Sequence, residues 1–311
     1  MKILILGSTG FIGKNLCKEL LSAGHNVVVF TSNEAKAQSL FGKNVEIIEW
    51  TGYAPLLPSH TLQDVSAVVN LAGESIGNHR WTKSVKEKIF QSRIKTTQAV
   101  VNAIKNKVLS PKMLINASAV GFYGPHNDEE VTESSSAGRD FLAEVCKAWE
   151  AETYKAESYG THVVTVRIGV VLGNEGALVK MMSPFRYYLG GSIGTGNQWF
   201  SWIHIHDLVR IIKFIIEKGT IRGPINATAP QPVRMKEFCE ILGNVIGRPS
   251  WLRVPGFVLK IFLGEMADML LNGQRVLPKK ILDAGFGFQF PILKEAIEDI
   301  IGLTKKSYTF K

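Results

Sequence analysis

Cysteine is scarce in this 311-residue chain: Cys17, Cys146 and Cys239 are its three, widely separated, with no Cys-x-x-Cys pair. That pattern argues against a disulfide framework and leaves three small buried apolar side chains in a reducing compartment. The seven histidines show no metal-ligand spacing. His204 and His206 alternate with Ile203 and Ile205 and are expected on one face of a strand, but no cysteine or carboxylate cluster accompanies them, so no metal is expected. No apolar run reaches membrane-spanning length and no secretory signal opens the chain; no membrane partner and a cytoplasmic location are the expectations. Basic runs interleaved with aromatics are also missing. The net charge of +9 comes from dispersed lysines, thinly clustered at Lys305, Lys306 and Lys311. A solvated basic surface or a phosphorylated ligand accounts for it better than nucleic acid does. There is no repeat and no low-complexity tract.

What is present is a globular composition, 45% hydrophobic and 20% charged, long enough to bury a sizeable core. The chain opens on KILILGSTGFIG. Ile3–Leu6 is continuously apolar, as a central parallel strand buried on both faces tends to be. Gly7, Gly10 and Gly13 follow at a spacing of three. Gly7 permits a tight turn, Gly10 lets backbone N–H groups approach a pyrophosphate, and Gly13 lets a helix pack close to the strand. The helix N-terminus adds partial positive charge. Helical spacing at Leu16, Leu20 and Leu21, a stop at Gly24 and a second strand over Asn26–Phe30 complete a βαβ unit. Where that second strand ends, an acid that would bind the ribose 2′-hydroxyl of NAD is absent. Thr31, Ser32 and Asn33 stand there, with Lys36 nearby, which favours NADP(H) over NAD(H).

Further strands are expected at Val45–Ile48, Ala67–Leu71, Met113–Ala117 and Val163–Arg167, and helices at Ser84–Lys105 and Phe141–Tyr159. Thr51–Leu62, with Pro55 and Pro58, reads as a loop. This alternation predicts an α/β fold, a Rossmann-like doubly wound parallel sheet. Beyond Gly173 the rhythm changes: turns at Gly190–Gly196, Asp207 as N-cap of a helix Leu208–Lys218, then helices at Lys236–Ile246 and Phe257–Leu271. The expected division is a nucleotide-binding domain of residues 1–173 plus about 203–228. A smaller, mostly helical substrate-side domain takes about 174–202 plus 229–311. The ligand cleft belongs at the carboxyl ends of the parallel strands, where Trp199, Trp202 and His204 either face the substrate or pack in the core.

Taken together, GSTGFIG, NLAG at the fourth strand end, Ser118 after the fifth, and WIHIHDLV resemble the extended short-chain dehydrogenase/reductase superfamily. FLAEVCKAWE, RIGVVLG, APQPV and LGEMADMLLNGQRV are similar to its epimerase-like branch, the NAD-dependent epimerase/dehydratase-like proteins with a C-terminal domain of unknown function. The likeness runs to about Phe290. It implies a dinucleotide lined by Gly7, Thr9, Gly10, Phe11, Ile12, Gly13, Thr31, Ser32, Leu71, Ala72, Gly73, Glu74, Ala117, Gly169 and Val170. Arg93, in a Ser-Arg pair, is placed toward its phosphates. It also implies hydride transfer at a carbon bearing oxygen, with Ser118 holding that oxygen, a tyrosine as acid or base, and a lysine one turn later that binds ribose and lowers the tyrosine pKa.

Here the sequence departs from the pattern. Lys147 fits the lysine, but Ala143 stands four residues before it, and none of the seven tyrosines is followed by lysine at that spacing. Tyr123 and Glu144 are the substitute acids, each with an alternative: a packing aromatic for Tyr123 and a surface carboxylate for Glu144. Lys147 either contacts ribose or is solvated. Two functions follow. One is an NADP(H)-dependent oxidoreductase or epimerase acting on a carbonyl, alcohol or sugar-nucleotide-like small molecule, a homo-oligomer being compatible with it. The other is a dinucleotide-binding regulator or scaffold with reduced catalysis.

Overall fold

Seven parallel strands form the frame, in a computed structural model that describes residues 1–54 and 62–302. The first half alternates β1 (Lys2–Leu6), α1 (Phe11–Ser22), β2 (Asn26–Thr31), α2 (Glu34–Phe41), β3 (Glu46–Glu49), β4 (Val65–Asn70), α3 (Lys83–Lys105) and β5 (Met113–Ala119). Next come β6 (Glu130–Val131), α4 (Phe141–Tyr154), β7 (His162–Ile168), β8 (Val170–Leu172), α5 (Ala177–Arg186), β9 (Gly191–Ile193), β10 (Trp199–Phe200) and β11 (Trp202–His204). The chain continues through α6 (Ile205–Lys218), β12 (Gly223–Ala227), β13 (Val233–Arg234), α7 (Met235–Ile246), β14 (Leu252–Val254) and α8 (Gly256–Leu263). It closes with α9 (Asp268–Leu271), β15 (Arg275–Val276), α10 (Lys279–Asp283) and α11 (Leu293–Ile300). Pro55, Pro58, Lys305, Lys306 and Lys311 lie outside the described residues.

The sheet runs β3-β2-β1-β4-β5-β7-β12. Strand order reverses between β1 and β4, which opens a crevice above their carboxyl ends. Alternate residues feed the two faces, as a period of two requires. Ile3, Ile5 and Val29 pack with Leu16, Leu20, Leu208 and Ile212 from α1 and α6, whereas Leu4, Leu6 and Val68 pack with Val100 and Ile104 of α3. A separate core lies outside the sheet, where Leu172, Phe200 and Trp202 meet Phe238 and Leu242 of α7 and Leu293 and Ile297 of α11.

Four expectations change. The helix expected to reach Tyr159 gives way at Lys155 to a 3₁₀ turn. The one expected over Phe257–Leu271 breaks at Gly264, whose φ of +62° a helix cannot use. α6 begins at Ile205 with His204 as its cap, so His204 and His206 do not share a strand face. Asp207 lies inside the helix, fully buried, and accepts the backbone N–H of Gln289 (2.9 Å) and of Phe290 (2.8 Å). It ties the end of the chain to α6.

Candidate cofactor and substrate cleft

The turn leaving β1 is shaped by two close approaches. Gly7 has φ +75°, and a Cβ there would meet the Leu71 carbonyl at 2.8 Å; a Cβ on Gly13 would lie 2.2 Å from the Gly7 oxygen. Both contacts forbid a side chain, so β1, the loop and α1 are pressed together as a phosphate cradle requires. Gly10 precedes α1 without a side-chain cap, and no acid occupies the first turn. The first N–H groups of that helix therefore point outward with acceptors to gain, and its dipole faces an anion without a competing carboxylate. Thr9, Phe11 and Ile12 are half-buried around this opening.

At the end of β2, Thr31 is buried and its Oγ1 accepts from Asn33 N at 3.1 Å, so it shapes the turn. Ser32 and Lys36 are exposed, and Asn33 caps α2 by accepting from Lys36 N at 2.9 Å. The loop after β4 is fixed from below: Asn70 Oδ1 accepts from Ala72 N, and Asn70 Nδ2 donates to Asn116 Oδ1 at 2.7 Å. Leu71 and Ala72 are half-buried, while Gly73 and Glu74 are exposed. Arg93 lies beneath them and donates to the Glu74 carbonyl (3.1 Å) and the Ile89 carbonyl (2.9 Å), its guanidinium 5.1 Å from the Trp149 ring centre. It braces the loop, and burial draws its pKa downward. Ala117 points into the sheet's core. Gly169 accommodates the Ser201 carbonyl, which a Cβ would meet at 2.7 Å, and Val170 beside it is half-buried.

The four expected catalytic residues separate. Ser118 is buried at the end of β5 and donates to Glu150 Oε1 at 2.6 Å. Arg167 grips that carboxylate in two places, through Nε and Nη2, each at 2.8 Å, and its Nη1 donates to the Tyr123 hydroxyl at 3.0 Å. Tyr123 in turn donates to Asn226 Oδ1 at 2.6 Å and is 1% exposed. Burial raises its pKa to about 12, and Arg167 and Asn226 occupy its hydroxyl. Glu144 is exposed on α4. Lys147 is exposed on α4 one turn after Ala143, which is 0% exposed. Trp202 and His204 are buried, and half-buried Trp199 stacks on Arg234.

Sequence reasoning missed Glu150 and Arg167. The signal was an arginine inside the apolar run Val163–Ile168, where burial demands a partner. It also missed a strap of contacts that ties residues 77–86 to α4, α5 and Glu265. Lys180 of α5 donates to the Gly77 carbonyl (2.9 Å) and Asn78 Oδ1 (3.1 Å), Lys86 pairs with Glu265 at 2.6 Å, and Trp81 stacks edge-on against Phe141.

A doubly wound sheet with this cradle at its switch point defines a dinucleotide-binding α/β protein of the short-chain dehydrogenase/reductase type. The chain belongs to the NAD dependent epimerase/dehydratase family, whose model matches residues 3–227. A domain of unknown function, DUF1731, matches residues 254–300. The Epimerase family protein SDR39U1 homolog, chloroplastic, of Arabidopsis thaliana is 41% identical, over 97% of this chain and 87% of that protein. The crystal structure of human epimerase family protein SDR39U1 (isoform 2) with NADPH is similar at TM-score 0.85 and 34% identity, covering 97% of this chain and 99% of that one. A nucleoside-diphosphate sugar epimerase from Corynebacterium glutamicum is similar at TM-score 0.77 and 32% identity, covering 97% of this chain and 58% of that one.

Proposed function

We propose that the protein is a cytoplasmic NADP(H)-dependent oxidoreductase or epimerase acting on a small carbonyl, alcohol or sugar-nucleotide-like substrate. The observation that carries this reading is the cradle at Gly7 and Gly13, where two clashes exclude any side chain and backbone donors face outward. A human relative was crystallised with NADPH and a bacterial one is named a nucleoside-diphosphate sugar epimerase. The preference for NADP(H) is supported by the exposed Ser32 and Lys36. In this reading Gly7–Gly13 hold the pyrophosphate, Ser32 and Lys36 the 2′-phosphate, Leu71–Glu74 and Val170 the flanks, and Lys147 the ribose. The nicotinamide supplies or takes up a hydride at a carbon bearing oxygen. Ser118 has committed its proton to Glu150, so it offers a lone pair that accepts from a substrate hydroxyl and orients it. Isothermal titration with NADPH and NADH is the test: binding of NADPH at least tenfold tighter is expected, and no binding of either refutes the reading.

A second reading, a dinucleotide-binding regulator or scaffold, is favoured by Ala143 at 0% exposure and by the enclosure of Tyr123. It predicts tight NADPH binding with no turnover across a panel of aldehydes, ketones and sugar nucleotides, together with partner association that NADPH changes. NADPH oxidation at enzyme-like rates with any of those compounds excludes it.

A further inference from the structure

The substrate-side segment carries an apolar surface that is exposed among the described residues. On α8, Phe257, Ile261 and Phe262 are 66%, 64% and 73% exposed, and none of the helix's eight residues is fully buried. β14 pairs with β9 just before α8, and this joins the helix to a second group. There Trp251, 68% exposed, donates its indole N–H to the Tyr188 carbonyl at 3.0 Å, beside the exposed Tyr187 and Leu189. Arg248 stacks over the Tyr188 ring at 4.6 Å. Seven large apolar or aromatic side chains thus stand out on two adjoining segments, more than scattered surface hydrophobes account for.

The charge on these segments has one sign. No aspartate or glutamate occurs in residues 176–206 or 241–264, which hold Lys180, Arg186, Arg248, Arg253 and Lys260. Asp268, outside both stretches, pairs with Lys260 at 3.0 Å. A second copy meeting this face through a two-fold axis would oppose arginines to arginines. A peptide groove would half-bury its walls, whereas these side chains protrude. Aromatic tips with predominantly cationic flanks suit a surface that is apolar below and anionic above.

We propose that α8 and the Tyr187–Leu189/Trp251 ledge dock reversibly on an anionic lipid bilayer, with Phe257, Ile261 and Phe262 entering the interface and Arg186, Arg248, Arg253 and Lys260 facing the headgroups. No helix among the described residues is long and apolar enough to cross a membrane, and a contact lying on the surface needs none. α8 runs into Gly264 and Glu265, which lie against Arg80 and Lys86, so docking sets this strap beside the bilayer.

Co-sedimentation of the full chain with phosphatidylglycerol/phosphatidylcholine vesicles, and with phosphatidylcholine alone, tests this. Expected are binding to the anionic vesicles only, at least tenfold weakening in 0.5 M salt, and at least tenfold weakening in the triple variant Phe257→Ser/Ile261→Ser/Phe262→Ser. Lys260→Glu with Arg186→Glu should weaken binding likewise, while Tyr53→Ser, an exposed aromatic elsewhere, leaves it unchanged. Circular dichroism melts verify that each variant is folded. Failure of the wild type to sediment with anionic vesicles, or sedimentation indifferent to the folded triple variant, overturns the proposal. So does a dimer in sedimentation velocity that the triple variant converts to monomer, since a second copy would then own the face.

Discussion

Ser118 and Glu150 share a 2.6 Å hydrogen bond in which the serine is the donor, and the same carboxylate is clasped by the Nε–Nη2 edge of the Arg167 guanidinium. The serine expected to hold a substrate oxygen is thus anchored to a buried ion pair between α4 and β7. Removing one partner leaves a charge in the interior. Glu150→Ala is expected to cost about 3–5 kcal/mol in urea denaturation, and pairing Glu150→Leu with Arg167→Met should recover most of it. A loss below about 1 kcal/mol in the single variant would mean that water reaches the pair.

His204 supplies a pH dependence. Its Nδ1 accepts from His206 N at 3.1 Å, which places the ring proton on Nε2, 3.4 Å from Asp299. Burial first, and the neighbouring His206 second, lower its pKa from 6.5 to about 3. The unfolded chain therefore takes up a proton near pH 6.5 that the folded one refuses until about pH 3. Stability is complete above pH 6.5 and falls as pH drops, by at most about 1.4 kcal/mol per pH unit from this group. Denaturation midpoints of the wild type and His204→Asn between pH 7.5 and 4.5 should diverge in slope, with the variant flatter. Parallel slopes would show that the imidazole is protonated in the native state.

In the proposed reading, cofactor choice turns on Ser32, exposed where β2 ends. Ser32→Asp puts a carboxylate against a 2′-phosphate and offers an acceptor to a 2′-hydroxyl. NADPH affinity should fall at least tenfold while NADH affinity holds or improves. Fluorescence titration of both nucleotides checks this; an unchanged ratio places the adenosine ribose elsewhere.

Asp207 accepts from the N–H groups of Gln289 and Phe290 and from Arg210 Nη1 at 2.9 Å. Asp207→Ala strands two backbone donors and is expected to cost on the order of 2–5 kcal/mol. Limited proteolysis should then cut first near residues 284–292.

The sheet was legible because its strands are short, apolar and separated by helical spacing: Ile3–Leu6 and Asn26–Phe30 fall inside β1 and β2. The cradle was legible because, of three glycines at fixed intervals, Gly7 and Gly13 answer to backbone collisions that sequence spacing encodes. Partners brought together from afar were not. Arg167, held by Glu150, and Asn226 meet Tyr123 only through the crossing of α4, β7 and β12 beside the loop after β5, and nothing local to Tyr123 marks it as enclosed. Asp207 preceded an apolar helix and so read as a cap, although its partners lie about eighty positions downstream.

Those long spans also set an order of events during synthesis. Gln274 Nε2 donates to the Val120 carbonyl, Ser201 Oγ to the Gln274 carbonyl, and Asn226 Nδ2 to the Leu277 carbonyl at 3.0 Å. The turn beyond Ser118 thus gains an anchor from Gln274, which is synthesised 154 residues after Val120. The parallel sheet can assemble earlier, but the wall beside Ser118 stays open until then. A nascent chain halted at residue 270 would carry the nucleotide cradle and lack a finished chamber next to it.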